Sequence, residues 1–231
     1  MSDKSNKKQT RSRSPEKKAA QFERILEAGK ELFSEKGREG FSLRGLAKNL
    51  DMNQNNLYNY VDSKRELWIA IRNKFFKQQR DENREIIKNH KGSTIDLLLK
   101  IIKNFLEFAT KDVGAFSMMH LIQSPPSNKI GPFEKEYRAF NFLDGTIRIV
   151  QVGIDKGEIK DDNATALSFY IYSLILGAVI VERNVRILEQ NDNYNGAAAS
   201  EYIQYKHSDL SSLEYRKYVL RKIERLLKNP N

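Results

Sequence analysis

The sequence predicts an all-α protein of roughly nine helices, an N-terminal three-helix helix-turn-helix unit followed by a larger helical domain. Three observations lead there. Apolar residues recur at spacings of 3 and 4 along most of the chain. No run alternates apolar and polar residues as a half-buried strand would, and capping residues stand where the periodic stretches begin.

The first helix carries Phe22, Ile25, Leu26, Gly29, Leu32 and Phe33 on one stripe. A second, short helix is expected to start at Ser42, whose hydroxyl can accept from the free backbone N–H groups of the opening turn. It would bury Leu43, Leu46, Ala47 and Leu50. Asp51 falls where the chain must turn sharply, and Asp tolerates a left-handed conformation better than most residues with a side chain. Met52 follows as a core plug. Asn53 suits the N-cap of a third helix in which Leu57 and Val61 point inward, leaving Gln54, Asn55, Asn56, Tyr58 and Asn59 to face outward. Ser63 to Glu66 then reads as a capping box that opens a fourth helix, running from Lys64 to about Lys88 and joining the two domains.

The outer face of the third helix is uncharged and rich in amides. In a major groove, Asn and Gln can bond N6 and N7 of adenine in bidentate fashion, while the Tyr58 hydroxyl can reach a phosphate. Lys64 is placed beside this helix for the backbone. The same residues would also suit a solvated surface, since three-helix units of this kind occur in proteins that bind no nucleic acid.

Composition bounds the remainder. With 231 residues, 39% hydrophobic and 30% charged, the chain has the mix of a soluble globular protein with room for two domains. The net charge is +10, and residues 1–91 hold 22 Lys and Arg against 13 Asp and Glu, so the excess lies with the helix-turn-helix region. Such an excess attracts phosphate and makes binding fall with salt. There is no cysteine, which excludes disulfides and thiolate metal sites. The first 20 residues lack an apolar signal-peptide core, so a cytoplasmic location is expected. Residues 1–18 have the low hydrophobicity of a disordered basic arm. Within it Arg11 and Arg13 could follow a minor groove, although a solvated tail is the plainer reading. The expected division is this arm, a DNA-binding domain over 19–79 and a second helical domain over 80–231.

From Ile25 to Leu67 the chain resembles, without a gap, the DNA-binding domain of the TetR/AcrR family of bacterial transcriptional regulators. Ile25, Leu26 and Ala28 resemble the opening of that family's first helix, and Phe33 and Gly37 its aromatic plug and terminating glycine. Phe41, Ser42, Leu43, Arg44, Leu46 and Ala47 match the second helix. Leu57, Tyr58, Tyr60, Ser63, Lys64 and Leu67 match the recognition helix and its exit. The resemblance implies that Ser42 and Lys64 hold phosphates, that Arg44 touches a base or phosphate, and that Gln54, Asn55, Asn56 and Asn59 read bases. Two positions depart from the family pattern: Gly29 replaces a small alanine and Asp51 a turn glycine.

Beyond the fourth helix, Thr94–Thr110 reads as a strongly apolar helix, 114–122 as a short one, and Phe133–Lys156 as one long helix capped by Gly157. Residues 164–181 carry no charge, which meets the length of a membrane span, but the polar Thr165, Ser168, Tyr170, Tyr172 and Ser173 favour a helix buried on both sides. The last helix, opened by Ser211 and Glu214, offers Tyr215, Val219, Ile223 and Leu226 for packing. Residues 190–210 form a long loop. By the resemblance, helices near 163–189 and 211–228 build a homodimer in which Gly177 admits a partner helix. Helices four to seven would enclose a cavity for a small-molecule effector, with Phe105, Phe108, Phe116, Met119 and Phe140 as lining candidates or simply as core.

His90, His120 and His207 are scattered, without the spacing of a zinc site, and no nucleophile elbow, P-loop or dinucleotide fingerprint occurs. No cofactor and no catalysis are expected. The resulting expectation is a homodimeric repressor on a pseudo-palindromic double-stranded DNA operator, released by an effector. The alternatives are a helical interaction or membrane-associated protein and a nonspecific DNA-binding protein.

Overall fold

The structure is a computed structural model that describes residues 14–138, 141–161, 163–190 and 210–228. Among the described residues there are ten α-helices and no strand, so the all-α expectation holds. They are α1 Pro15–Gly40, α2 Leu43–Asn49, α3 Gln54–Leu57, α4 Lys64–Lys88, α5 Thr94–Lys111, α6 Val113–Phe116, α7 Pro132–Lys135, α8 Asp144–Asp155, α9 Ala164–Gln190 and α10 Ser212–Lys228. The chain forms two compact units, one of Met1–Asn73 with His120–Tyr137 and the other of Lys74–Met119 with Arg138–Asn231. The segment His120–Tyr137, which follows the fifth helix in the chain, thus packs within the N-terminal unit.

In that first unit, Ser14 caps α1 by accepting from the Lys17 N–H at 3.4 Å, and Pro15 occupies a first-turn position where its missing N–H costs nothing. Residues 15–18 are therefore helical rather than part of an arm; residues 1–13 lie outside the described residues. The predicted stripe is buried at Ile25, Leu26, Gly29, Leu32 and Phe33, with Phe22 half-buried. At Gly29 a β-carbon would stand 2.9 Å from Ile71 Cδ1, so α1 and α4 approach closely there. The regular helix breaks at Gly37, whose φ of 65° disfavours any side chain, and the Phe33 and Phe41 rings stack across the break.

Ser42 caps α2 by accepting from Gly45 N–H at 3.0 Å, and Asp51 takes the left-handed conformation expected of it, with φ 52°. Leu50 and Met52 are half-buried rather than fully enclosed, and Met52 sulfur accepts from Gln21 Nε2.

The capping box at the start of α4 forms by half. Ser63 Oγ accepts from Glu66 N–H, but the Glu66 carboxylate, fully buried, accepts instead from the Phe133 backbone N–H. The surrounding segment is tied to α4 throughout. Arg65 pairs with Glu134 and donates to Ser124 Oγ, Trp68 Nε1 donates to Ile122 O at 3.1 Å, and Arg72 donates to Tyr137 Oη at 2.6 Å. The Phe133 ring stacks on Phe22, and Gly131 leaves room for Glu66, since a β-carbon there would fall 2.0 Å from Glu66 Oε2.

These attachments explain why Phe133–Lys156 is not one helix. It divides into α7, a 3-10 turn at Asn141–Leu143, and α8. Phe133 and Tyr137, which supplied the N-terminal part of the periodicity, are half-buried and pack within the first unit. Gly157 follows α8 with φ 71°, as a C-terminal glycine should. The short helix expected over 114–122 is α6 followed by a π-helical turn at Ser117–Leu121.

The second unit is built from α5, α8, α9 and α10, which pack on one another. α9 is not buried all round. Leu167, Ile171, Ile175, Ala178, Val179 and Val185 are buried, whereas Phe169, Tyr170, Leu174, Ile180 and Val181 are exposed. The Ser211–Glu214 capping box forms in both directions. On α10 the buried apolar residues are Ile223 and Leu227, with Leu226 only half-buried. The register is set by Arg216, which bonds both oxygens of the buried Glu182 on α9 and also Thr110 on α5.

Two stability measurements follow. Arg216→Ala leaves the Glu182 carboxylate without its main partner in a dry site and should cost about 3 kcal/mol by chemical denaturation; a loss under about 1 kcal/mol would contradict the assignment. In the first unit, burial foremost and the Arg72 guanidinium second push His120 down to about 3. Below its ordinary pKa of 6.5 the unfolded chain takes up a proton that the folded chain refuses. The His120 contribution is thus complete above pH 6.5 and is lost as pH falls towards 3, with a slope of up to about 1.4 kcal/mol per unit. His120→Gln should flatten this acid limb, and an unchanged pH profile would contradict the linkage.

Candidate nucleic-acid interface

The predicted reading residues come together on one surface of the first unit. α3 is a single turn, shorter than the helix expected through Val61, and it is capped by Asn53 Oδ1 accepting from Asn55 N–H at 2.9 Å. After Leu57 the chain continues in tight turns, with Asn59 N–H donating to Asn56 O and Tyr60 N–H to Leu57 O. The inward residues hold this segment down: Leu57 is 0% exposed and Val61 is also buried. Asn53, Asn55, Asn56 and Asn59 are exposed, and Tyr58 is 45% exposed. Gln54 is half-buried and donates to Tyr58 Oη. The arrangement is a set of amide groups over an apolar anchor.

Ser42 and Arg44 are also exposed, Ser42 already serving as the α2 cap. Lys48 is an exposed cation that sequence reasoning passed over. It lies one helical turn beyond Arg44 and shares a surface cleft with Ser42, Gly45 and Asn49. The spacing of four from Arg44 was the available signal. Lys64 differs from its expected presentation. It is half-buried, donates to the Arg38 carbonyl near the end of α1, and lies 5.7 Å from the Phe41 ring centre. Burial pushes its amine below the usual lysine range, opposed by Glu39 and reinforced by Arg38.

The effector candidates lie in the second unit. Phe108, Phe116 and Met119 are buried, and Phe105 meets Phe116 edge-on at 5.9 Å. Phe140 lies outside the described residues. Nearby in sequence, the Phe142 ring stacks with Phe76 at 4.9 Å and tilts against Tyr172 at 5.1 Å. Among the described residues no group of three or more His, Asp or Glu side chains could hold a metal ion.

Residues 25–71 match the family model for bacterial regulatory proteins of the tetR family. No curated protein matches the chain significantly. Among solved structures, the transcriptional regulator FadR from Bacillus subtilis, in complex with stearoyl-CoA, is similar at 17% identity. The match covers 91% of this chain and 99% of that one with a TM-score of 0.63. The fatty acid degradation regulator FadR from Bacillus halodurans matches at 12% identity over 94% and 96%, TM-score 0.61. A TetR-family transcriptional regulator from Agrobacterium tumefaciens matches at 14% identity over 90% and 97%, TM-score 0.62. At such identities the likeness is one of fold.

The anchor and the presented face should separate cleanly in denaturation experiments. Leu57→Ala should cost about 2–5 kcal/mol, while Asn56→Ala, one residue away, should stay within about 0.5 kcal/mol of the parent. Comparable losses for both would mean that the amide face is packed rather than presented.

Proposed function

The chain belongs to the TetR family of bacterial regulatory proteins, and from that premise we propose that it is a homodimeric repressor of transcription that reads a pseudo-palindromic operator and leaves it when a small molecule binds. The observation that carries this reading is the exposed amide set of Asn53, Asn55, Asn56 and Asn59, anchored by fully buried Leu57, with the cations Arg44 and Lys48 exposed on the preceding helix α2. The amides suit base edges and the cations suit phosphates. Ser42, Gln54 and Tyr58 complete the contact surface. Lys64 spends one of its three N–H donors on Arg38 O, which ties it to the end of α1 and leaves the other two for a phosphate.

Dimerisation is assigned to α9 and α10. Tyr170, Leu174, Gly177 and Val181 recur at spacings of 4, 3 and 4 along the uncovered face of α9, with Leu213 and Tyr218 exposed on α10. Among the described residues, nothing beyond its chain neighbours and the adjoining backbone of α9 lies within 4 Å of the position a Gly177 β-carbon would take, which leaves space for a second helix. This exposed stripe also gives α9 the length and hydropathy of a membrane span, Ala164–Ile187. A dimer mass in detergent-free buffer supports the first use and excludes the second.

The effector is assigned to the apolar interior of the second unit, around Phe105, Phe108, Phe116 and Met119, with Phe140 assigned by sequence alone. The likeness to FadR makes stearoyl-CoA the first ligand to try. Release would be a population shift. An effector that favours the form with separated reading heads lowers operator affinity by the ratio of its affinities for the two forms.

Binding of variants to a preferred duplex tests the roles. Asn55→Ala or Asn56→Ala should relax discrimination at individual base pairs by about 1–3 kcal/mol. Lys48→Ala should weaken all duplexes alike and reduce the salt slope by about one per chain, about two for the dimer. Equal losses on preferred and random DNA for every variant would contradict the assignment.

A further inference from the structure

We propose that the cleft between the first two turns of α1 and the end of the reading segment seats the DNA backbone, with Lys18 bonding the phosphate that flanks the base pair facing Asn59. The inference rests on the DNA-binding reading above and deepens it, adding a contact from α1 to a surface otherwise drawn from α2 and the α3 segment.

Helical spacing builds one wall. Pro15, Lys18, Ala19 and Phe22 stand at intervals of 3, 1 and 3, which puts them on one face of α1. That face lines an open surface cleft together with Asn59 and Tyr60. Pro15, Lys18, Ala19 and Asn59 are exposed, while Phe22 and Tyr60 are half-buried. Asn59 therefore belongs to two surfaces at once, the amide face and the rim of this cleft.

The floor is held from behind. The Phe22 ring stacks on Tyr60 at 5.9 Å and on Phe133 at 5.8 Å, with interplanar angles of 11° and 13°. Phe133 in turn donates its backbone N–H to the buried Glu66 carboxylate on α4. One residue before Phe22, Gln21 Nε2 donates to Met52 sulfur in the turn that leads into α3. These contacts fix the start of α1 against both ends of the reading segment, so the cleft belongs to the packed unit.

Chemistry selects the occupant. Pro15, Ala19, Phe22 and Tyr60 offer carbon surface, and Lys18 is the one charged residue among those lining the cleft. A deoxyribose-phosphate unit has the complementary make-up, an apolar sugar edge joined to a single negative charge. Lysine meets phosphate as a point charge and needs no fixed angle of approach. Continuity brings the backbone here, because a strand whose base meets Asn59 carries its sugar and phosphate past the same rim. Lys17 is equally exposed but lies about 100° further round the helix and does not line the cleft.

The experiment uses the full chain on the duplex that the parent prefers, with Lys18→Gln, Ala19→Leu and Lys17→Gln as the charge-matched control. Lys18→Gln should lower affinity roughly tenfold at about 0.15 M salt and reduce the salt slope by about 0.9 per chain, nearly two for the dimer. Ala19→Leu fills the cleft without changing charge and should weaken binding by a comparable factor. In phosphate-ethylation interference, Lys18→Gln should lose its sensitivity at one phosphate per half-site, the one beside the base pair whose discrimination Asn59→Ala relaxes. Lys17→Gln should change affinity by less than about twofold, and base preference and the unfolding midpoint should keep their parent values in Lys18→Gln, Ala19→Leu and Lys17→Gln. Equal losses for Lys17→Gln and Lys18→Gln would overturn the site by reducing it to diffuse charge. Full affinity for Ala19→Leu, or an unchanged interference pattern for Lys18→Gln, would overturn it too. A parent chain that prefers no duplex would instead defeat the underlying DNA-binding reading, so the two failures are distinguishable.

Discussion

The burial of Leu57 and Val61 is the constraint on which the exposed amide surface depends. A single helical turn has almost no stability of its own, because forming the first hydrogen-bonded turn costs more order than it returns in bonds. The Gln54–Leu57 turn persists because Leu57 is fully enclosed and because Asn53 and Ser63 fix the chain before and after it. With the apolar side committed, Asn55, Asn56 and Asn59 are left on the exposed side. The chemistry of the surface is a consequence of the packing beneath it.

That first unit is also tied together by polar bonds that cross long sequence distances. Four side chains in the opening turns of α4, Arg65, Glu66, Trp68 and Arg72, hold the segment between Ile122 and Tyr137. Each of these bonds involves a group that is expensive to bury alone, so the set favours one arrangement over near alternatives. Helix α4 continues without a break past Asn73 into the second unit, and the chain crosses between the units again at Met119–His120 and Tyr137–Arg138.

Local signals made the N-terminal unit legible from sequence. The Phe22–Phe33 stripe, the Ser42 cap, the left-handed Asp51 and the Asn53 cap each announce themselves within a few residues, and each is found where expected. What escaped was non-local. Phe133 and Tyr137 continue the apolar period of the following helix, yet their partners are Phe22, Trp68 and Arg72, so the period spans two units and the helix breaks. Glu66 fits a capping box by spacing, but Phe133 N–H competes for its carboxylate. Lys64 looked like a free cation because nothing in sequence places the Arg38 carbonyl beside it. On α9, hydropathy could not distinguish a face covered by α10 from one left open, since both are apolar.

The central claim is that this amide face engages DNA twice, in a symmetric pair of chains. The most direct measurement is selection of duplexes from a random pool at moderate ionic strength, with the mass of the selected complex determined in the same preparation. The account predicts an inverted repeat with half-sites about one helical turn apart, bound by an even number of chains. A monomer, or a pool that remains random after repeated selection, would contradict it.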